Sequence, residues 1–227
     1  VRLSDLPFRS QDYLKAIFDV QEWSGTGVGL TQLAAKVGQQ NSTASEAVKR
    51  LAAQGLVNHR PYAPITLTDL GHELAIQMVR RHRLIETYLC RELGYSLDEV
   101  HDEAEELEHA VSEKLLARID ELMGYPDRDP HGDPIPNAAG QLPKTESFPL
   151  SEAAVGDVLC VERVSDSDPD LLRHLEGSGV TPGVYIRVDP RPFEALAEFS
   201  IVSGTRSGSV VSLPAAQLAA VRCIRPA

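Results

Sequence analysis

At 227 residues the chain is long enough for two or three small domains, each with its own core. No apolar run reaches the roughly 18 to 20 residues that a membrane span needs, and no signal-peptide pattern opens the chain, so a cytoplasmic protein is expected. The formal charge of −11 argues against uniform nucleic-acid binding, but its layout matters: residues 1–80 hold 8 basic and 7 acidic side chains, residues 81–135 hold 6 and 15, and residues 136–227 hold 8 and 11. The acid is concentrated in the middle third, which suits a cation better than a phosphate backbone.

Apolar residues at helical spacing (Tyr13, Leu14, Ile17, Phe18) predict a first helix from Ser10 to about Trp23, ended by Ser24-Gly25-Thr26-Gly27. Leu30, Leu33, Ala34 and Val37 form a second, short helix closed by Gly38. Asn41-Ser42-Thr43-Ala44-Ser45-Glu46 can cap and open a third, which runs to about Gln54. Gly55 stops it, and Leu56-Val57 with Ile65-Thr66-Leu67 read as two short strands about a proline-containing turn. Helix, helix, helix, hairpin is the order of a winged helix-turn-helix.

In such an element the second helix of the motif enters the major groove. Its small polar residues reach base edges and phosphates, here Gln40, Ser42, Thr43, Ser45 and Glu46. Lys49, Arg50 and, at the hairpin tip, Arg60 suit phosphate contacts. The plainer reading of Ser42, Thr43 and Ser45 is helix capping. For Glu46 the spacing favours an ion pair with Arg50, four residues on, over a contact to cytosine.

Thr68-Asp69 caps a long helix from about Leu70 to Leu93, and a second follows from about Leu97 to Met123, with a break placed near Val100. On a helical wheel His101, Glu105, Glu108 and His109 fall at about 0°, 40°, −20° and 80°, one face. The apolar stripe of Ala104, Leu107, Val111 and Leu115 adjoins it, so Glu105 and Glu108 flank the buried side. Two carboxylates there repel unless protonated or bridged by a cation. The preceding helix adds His82 and Glu86, again one turn apart, and helix-spaced His and Glu on neighbouring helices build metal sites in bundles. Taken singly, each acid reads rather as a solvated helix residue and each histidine as a hydrogen-bonded core residue; together those readings weaken. Glu106-x-x-His109 matches half of a di-iron pattern, but no second Glu-x-x-His appears, which weakens a carboxylate-bridged metalloenzyme.

Residues 124–149, with six prolines, read as an ordered loop followed by a linker, with a domain boundary near 145. Apolar runs at Val155–Val161, Val184–Val188, Phe199–Val202 and Val210–Leu213, with one helical stretch near Leu171–Leu175, predict a small β-barrel. Cys90, Cys160 and Cys223 lie far apart and outside any CxxC pairing, so they are expected to be reduced and structural.

With these features placed, the chain resembles the diphtheria-toxin-repressor family of metal-dependent transcriptional regulators along nearly its whole length. The most specific matches are Arg81-His82-Arg83-Leu84-Ile85-Glu86, the block His101 to His109, and Pro130-His131-Gly132-Asp133-Pro134-Ile135-Pro136. The resemblance implies a mainly α, multidomain protein: a winged helix-turn-helix DNA-binding domain (1–72), a helical dimerisation and metal-binding domain (73–145), and an SH3-like, FeoA-like β-barrel (146–227). It implies a homodimeric repressor on a palindromic double-stranded operator, with no membrane, no small organic substrate and no enzymatic activity. It also implies primary metal ligands at Asp12, Glu105, Glu108 and His109. Asp12 and Glu105 stand where the iron-responsive branch has methionine and cysteine, so the set looks like the manganese branch, and oxygen with imidazole suits hard Mn²⁺. Fe²⁺, and with it an iron-dependent repressor, stays open because its preferences lie close. One departure is Lys15, where some manganese regulators have a glutamate that helps hold two ions. The resemblance then points to a separate ancillary site: His82, Glu86 and His101 in one version, Glu86 with Asp129, His131 and Asp166 in another. Plainer readings are a loop-ordering hydrogen bond for His131 and a solvated turn for Asp166. Outside this family, a metal-independent winged-helix regulator with a merely solubilising acidic helix is the remaining alternative.

Overall fold

A computed structural model describes residues 1–61 and 63–226, and its contacts divide the chain into two compact units. The first comprises residues 1–82 with 108–110 and 136–142; the second comprises residues 83–107, 111–135 and 143 onward.

In the first unit, α1 (Phe8–Ser24) starts two residues before the expected point and buries Tyr13, Leu14, Ile17 and Phe18. Gly25, in the left-handed region at φ 69°, ends it by donating its N–H to the Gln21 carbonyl. Next come α2 (Leu30–Lys36) and α3 (Asn41–Ala53), the latter burying Ala44, Ala47, Val48 and Leu51. A two-stranded wing follows, β1 (Val57–Asn58) and β2 (Thr66–Leu67), paired antiparallel. It is shifted from the expected strands because Leu56 and Ile65 serve the core, and Ile65 exchanges backbone hydrogen bonds of 2.8 and 2.9 Å with Val28 instead.

The long helix α4 (Asp69–Leu93) begins where expected. Thr68 Oγ1 accepts from the Gly71 N–H (3.0 Å) and donates to the Gly55 carbonyl (2.7 Å), which ties the helix start to the end of α3. A Cβ at Gly71 would lie 1.9 Å from the Leu56 carbonyl oxygen. Gly71→Ala is therefore expected to lower stability by about 3 kcal/mol. A wild-type chemical-unfolding midpoint would contradict that close approach.

The helix expected from about Leu97 to Met123 breaks near Val100 as placed, since residues 97–99 are a turn and a helix starts at Val100, and it breaks a second time after Leu107. α5 (Val100–Leu107) ends one residue before Glu108, and α6 (Glu113–Leu122) starts afresh from Ser112, whose side chain accepts from the Leu115 N–H. Ser112 is an N-cap residue inside an apolar-periodic stretch, and the wheel that placed His109 on the face of Glu105 does not apply across this break.

The remainder of the second unit is a six-stranded antiparallel sheet in the order β3-β8-β4-β5-β6-β7, formed by β3 (Phe148–Pro149), β4 (Val158–Val164), β5 (Tyr185–Val188), β6 (Leu196–Ile201), β7 (Val210–Pro214) and β8 (Val221–Ile224). Strands β3 and β8 are additions to the four expected runs. Helix α7 (Pro169–Ser178), capped by the Asp168 side chain, packs Leu171, Leu172 and Leu175 into the core of this sheet. β4 shifts register between Val161 and Arg163, so Arg163 and Val164 are both buried in succession. Among the described residues, no helix is long and apolar enough to cross a membrane.

Candidate metal centre and DNA-reading element

The first cluster lies wholly within the first unit. α1 supplies Gln11, Asp12 and Lys15, the turn after α5 supplies Glu108 and His109, and α4 supplies His82. His109 Nε2 is 2.8 Å from Asp12 Oδ1 and 3.7 Å from Glu108 Oε1. One ligand atom from each of Asp12, Glu108 and His109 lies within 4.8 Å of the others, spacing that fits a single cation.

Glu108 is fully buried, with a 0 % exposed side chain. Its Oε1 and Oε2 accept from Lys15 Nζ at 2.6 and 2.7 Å, and its Oε2 lies 2.6 Å from His82 Nδ1. Burial alone would raise the Glu108 pKa, but Lys15 first, then His82, reverse this and hold it down at about 2. The carboxylate is thus kept ionised by a tethered ammonium. Lys15, noticed in the sequence as a departure from a ligand pattern, is structurally the counter-ion of a buried acid.

Gln11 gave no signal beyond a polar residue in the apolar phase of α1, three before Leu14. It is buried, and its Oε1 lies 3.2 Å from His109 Nδ1. Phe8 stacks on the His109 ring, centroids 4.6 Å apart.

The second cluster belongs to the second unit. Glu86 on α4 is almost fully buried; its Oε1 lies 3.4 Å from His101 Nδ1 and its Oε2 3.8 Å from His131 Nδ1. Asp166 Oδ2 is 3.4 Å from the same His101 nitrogen. Glu86, Asp129 and His131 place ligand atoms within 4.8 Å of one another. Asp129 Oδ1 accepts from the backbone N–H groups of His131 (2.9 Å) and Asp133 (2.8 Å), which folds the proline-rich loop. His131 Nε2 donates to the Leu97 carbonyl at 3.0 Å. A carbonyl only accepts, so His131 has a loop-ordering bond at Nε2 while Nδ1 remains turned toward Glu86. Desolvation would lower the His131 pKa, yet Glu86 raises it well above the ordinary value; Asp129 is raised by burial, then by Asp133 and Glu86. Such a cluster of acids and imidazoles asks for positive charge.

Arg83 donates to the Pro134 carbonyl at 2.7 Å, and Arg163 Nε meets Asp133 Oδ1 at 2.5 Å. These two buried arginines hold the loop, a role not visible in the sequence. Glu105, half-exposed on α5, faces His101 at 3.6 Å within this unit. Cys90 and Cys223 are pushed up to about 12, mainly by burial, and both clusters consist of oxygen and imidazole donors without sulfur.

On α3, Gln40 occupies the cap position without a side-chain hydrogen bond, so the Asn41-Ser42-Thr43 hydroxyl and amide groups are not the cap. Gln40, Ser42 and Thr43 are exposed and Ser45 is half-buried. Glu46 pairs with Lys49 at 2.7 Å, three residues on, which corrects the expected pairing with Arg50. The shorter reach to i+3 satisfies the carboxylate, and Arg50 stays exposed on the same helix, as does Arg60 between the wing strands.

Comparison with known proteins gives consistent matches along the chain. A family profile described as "Iron dependent repressor, N-terminal DNA binding domain" matches residues 5–65. One described as "Iron dependent repressor, metal binding and dimerisation domain" matches residues 68–137, and a "FeoA domain" profile matches residues 148–223. The iron-dependent repressor IdeR of Mycobacterium tuberculosis (strain ATCC 25618 / H37Rv) is 30% identical over 203 residues, covering 84% of this chain and 87% of its own. The diphtheria toxin repressor of Corynebacterium glutamicum is also 30% identical, covering 89% and 84%. Among solved structures, a manganese-dependent transcriptional repressor in complex with manganese superposes with a TM-score of 0.89 at 47% identity, covering 96% of this chain and 100% of that one. The manganese regulator SloR superposes with a TM-score of 0.79 at 30% identity, covering 96% and 98%.

Proposed function

Because the chain belongs to the iron-dependent, or diphtheria-toxin-repressor, family of metal-dependent DNA-binding transcriptional repressors, we propose that it is a manganese-responsive member, a cytoplasmic homodimer that binds a palindromic operator. The family is one of repressors, not enzymes.

The observation that supports manganese is the sulfur-free Asp12, Glu108, His109 cluster, with Glu105, three residues before Glu108, as the proposed fourth ligand. Carboxylates and imidazole favour a hard ion, and loss of thiolate or thioether removes affinity for softer ones. A bound divalent cation supplies the positive charge that lets these side chains share one point. Asp12 sits on α1, which packs with α2 and α3 in one core, while Glu108 and His109 sit in the turn after α5. Holding Asp12 to Glu108 and His109 therefore fixes the reading helix α3 relative to that turn. In a dimer two such helices must lie about 34 Å apart, or a multiple, to reach successive major grooves. Whatever free energy favours this arrangement appears as DNA affinity, and DNA must tighten cation binding by the same factor.

Lys15 supplies one positive charge to both Glu108 oxygens, which supports a single ion at the primary centre. The proposed ancillary ligands are His82, Glu86 and His101 in one version and Glu86 with Asp129, His131 and Asp166 in the other. Gln40, Ser42, Thr43, Ser45, Lys49, Arg50 and Arg60 form the proposed DNA contacts, Glu46 tempering Lys49.

An operator selected from random duplex DNA and titrated in EDTA, Mn²⁺, Fe²⁺ and Zn²⁺ tests the reading. Tight binding is expected in Mn²⁺ and none in EDTA. Equal binding in EDTA would refute metal dependence, and activation by Fe²⁺ at lower free concentration than Mn²⁺ would reassign the metal.

A further inference from the structure

We propose that Gln11 is a positioning residue that presents His109 to a cation through Nε2 alone and ties this ligand to the turn at Leu3–Leu6. The proposal rests on reading Asp12, Glu108 and His109 as a cation centre.

Gln11 is 3 % exposed, and its side-chain amide has a defined orientation. Nε2 donates to the Leu3 carbonyl at 3.1 Å and to the Leu6 carbonyl at 2.9 Å. Carbonyl oxygens only accept, so the amide nitrogen must occupy that side and Oε1 the other. Oε1 then lies 3.2 Å from His109 Nδ1. An amide oxygen also only accepts, so Nδ1 must bear the proton. In the neutral imidazole this leaves the lone pair on Nε2, the nitrogen that faces Asp12 Oδ1 at 2.8 Å. Phe8, stacked at an interplanar angle of 19°, limits rotation of the ring. Two carbonyls thus determine a glutamine, which determines a tautomer, which determines the metal-binding atom. A ligating histidine usually has such an outer partner on its second nitrogen. Here that partner is itself anchored by a 3₁₀ turn (Leu3–Asp5) whose Leu3, with the following Leu6, is buried in the core beneath the DNA-reading helices.

The test uses full-length protein with ¹⁵N-labelled histidine, loaded with Cd²⁺ as a diamagnetic probe. Long-range ¹H–¹⁵N spectra show all seven histidine rings, and the His109 signals are the ones missing from His109→Ala. Wild type is expected to show Nδ1 protonated and Nε2 bound to the metal. In Gln11→Met the Cd²⁺ concentration that shifts the His109 resonances should rise about 10–100-fold, with mixed tautomers. Gln11→Glu keeps an acceptor for Nδ1 while losing both donors to the carbonyls. It should retain the single tautomer even if unfolding shows it less stable, which separates positioning from packing. Metal bound through Nδ1 in wild type, or wild-type affinity and tautomer in Gln11→Met, would overturn the proposal. His109→Ala is the control for the centre itself: unchanged Cd²⁺ and Mn²⁺ affinity there would refute the cation-centre reading, whatever Gln11 does.

Discussion

Asp12→Ala is expected to leave the fold and the dimer intact while raising the Mn²⁺ concentration for half-maximal operator binding by more than about 100-fold. Loss of a histidine's outer partner already costs about 10–100-fold in metal affinity, and Asp12 would be a direct ligand. It is also the member of the described cluster that comes from α1, the others coming from one turn, so its removal leaves a cation without a hold on the DNA-reading helices. The Asp12 side chain is 19% exposed and makes no contribution to the apolar core, so thermal unfolding in EDTA should change little. Sedimentation should show the same dimer. An unchanged Mn²⁺ requirement would remove Asp12 from the switch.

Lys15→Met should act on the opposite quantity, the stability of the metal-free protein. Breaking a buried ion pair from one side costs about 3–5 kcal/mol, because the remaining charge is left without compensation. The low end, about 3 kcal/mol at pH 7, is expected because His82 still touches Glu108. The pH dependence follows from the direction of the shift. The folded Glu108 pKa, about 2, lies below its ordinary 4.5, so this group's stabilisation is present above about pH 4.5 and lost as pH falls toward 2. With Met at position 15, burial raises the carboxyl again and that stabilisation shrinks or reverses. The difference between the two proteins should therefore be largest at neutral pH and narrow below about pH 4.5. Urea unfolding in EDTA at pH 7 and pH 4 measures both. Added Mn²⁺, which restores positive charge beside Glu108, should stabilise the variant more than the wild type. A variant as stable as wild type at pH 7 would show that Lys15 is not the counter-ion.

These two residues lie one turn apart on α1 and illustrate a division of work. Asp12 faces His109 in the proposed cation centre, whereas Lys15 balances the buried Glu108 internally. Removing the first weakens sensing with little loss of fold, and removing the second weakens the fold before any metal arrives.

Much of this was legible from the residues alone. Helical spacing and glycine stops marked α1 to α4, and Thr68 announced the start of α4 because capping is local chemistry. Family resemblance along the chain supplied Asp12, since nothing in its own neighbourhood distinguishes it from a solvated acid. What tertiary structure decided were the contacts between residues far apart in sequence. The Lys15–Glu108 pair spans 93 positions and the Gln11–His109 contact 98, and no periodicity encodes such a meeting. The break at Glu108 belongs here too: the apolar repeat continues through it, but a fully buried carboxylate held by Lys15 and His82 is placed in a turn instead. A sequence states which groups are present and what each prefers locally. Which charge answers which is settled only when distant segments exclude water together, because only there does an unpaired charge cost enough to dictate its partner.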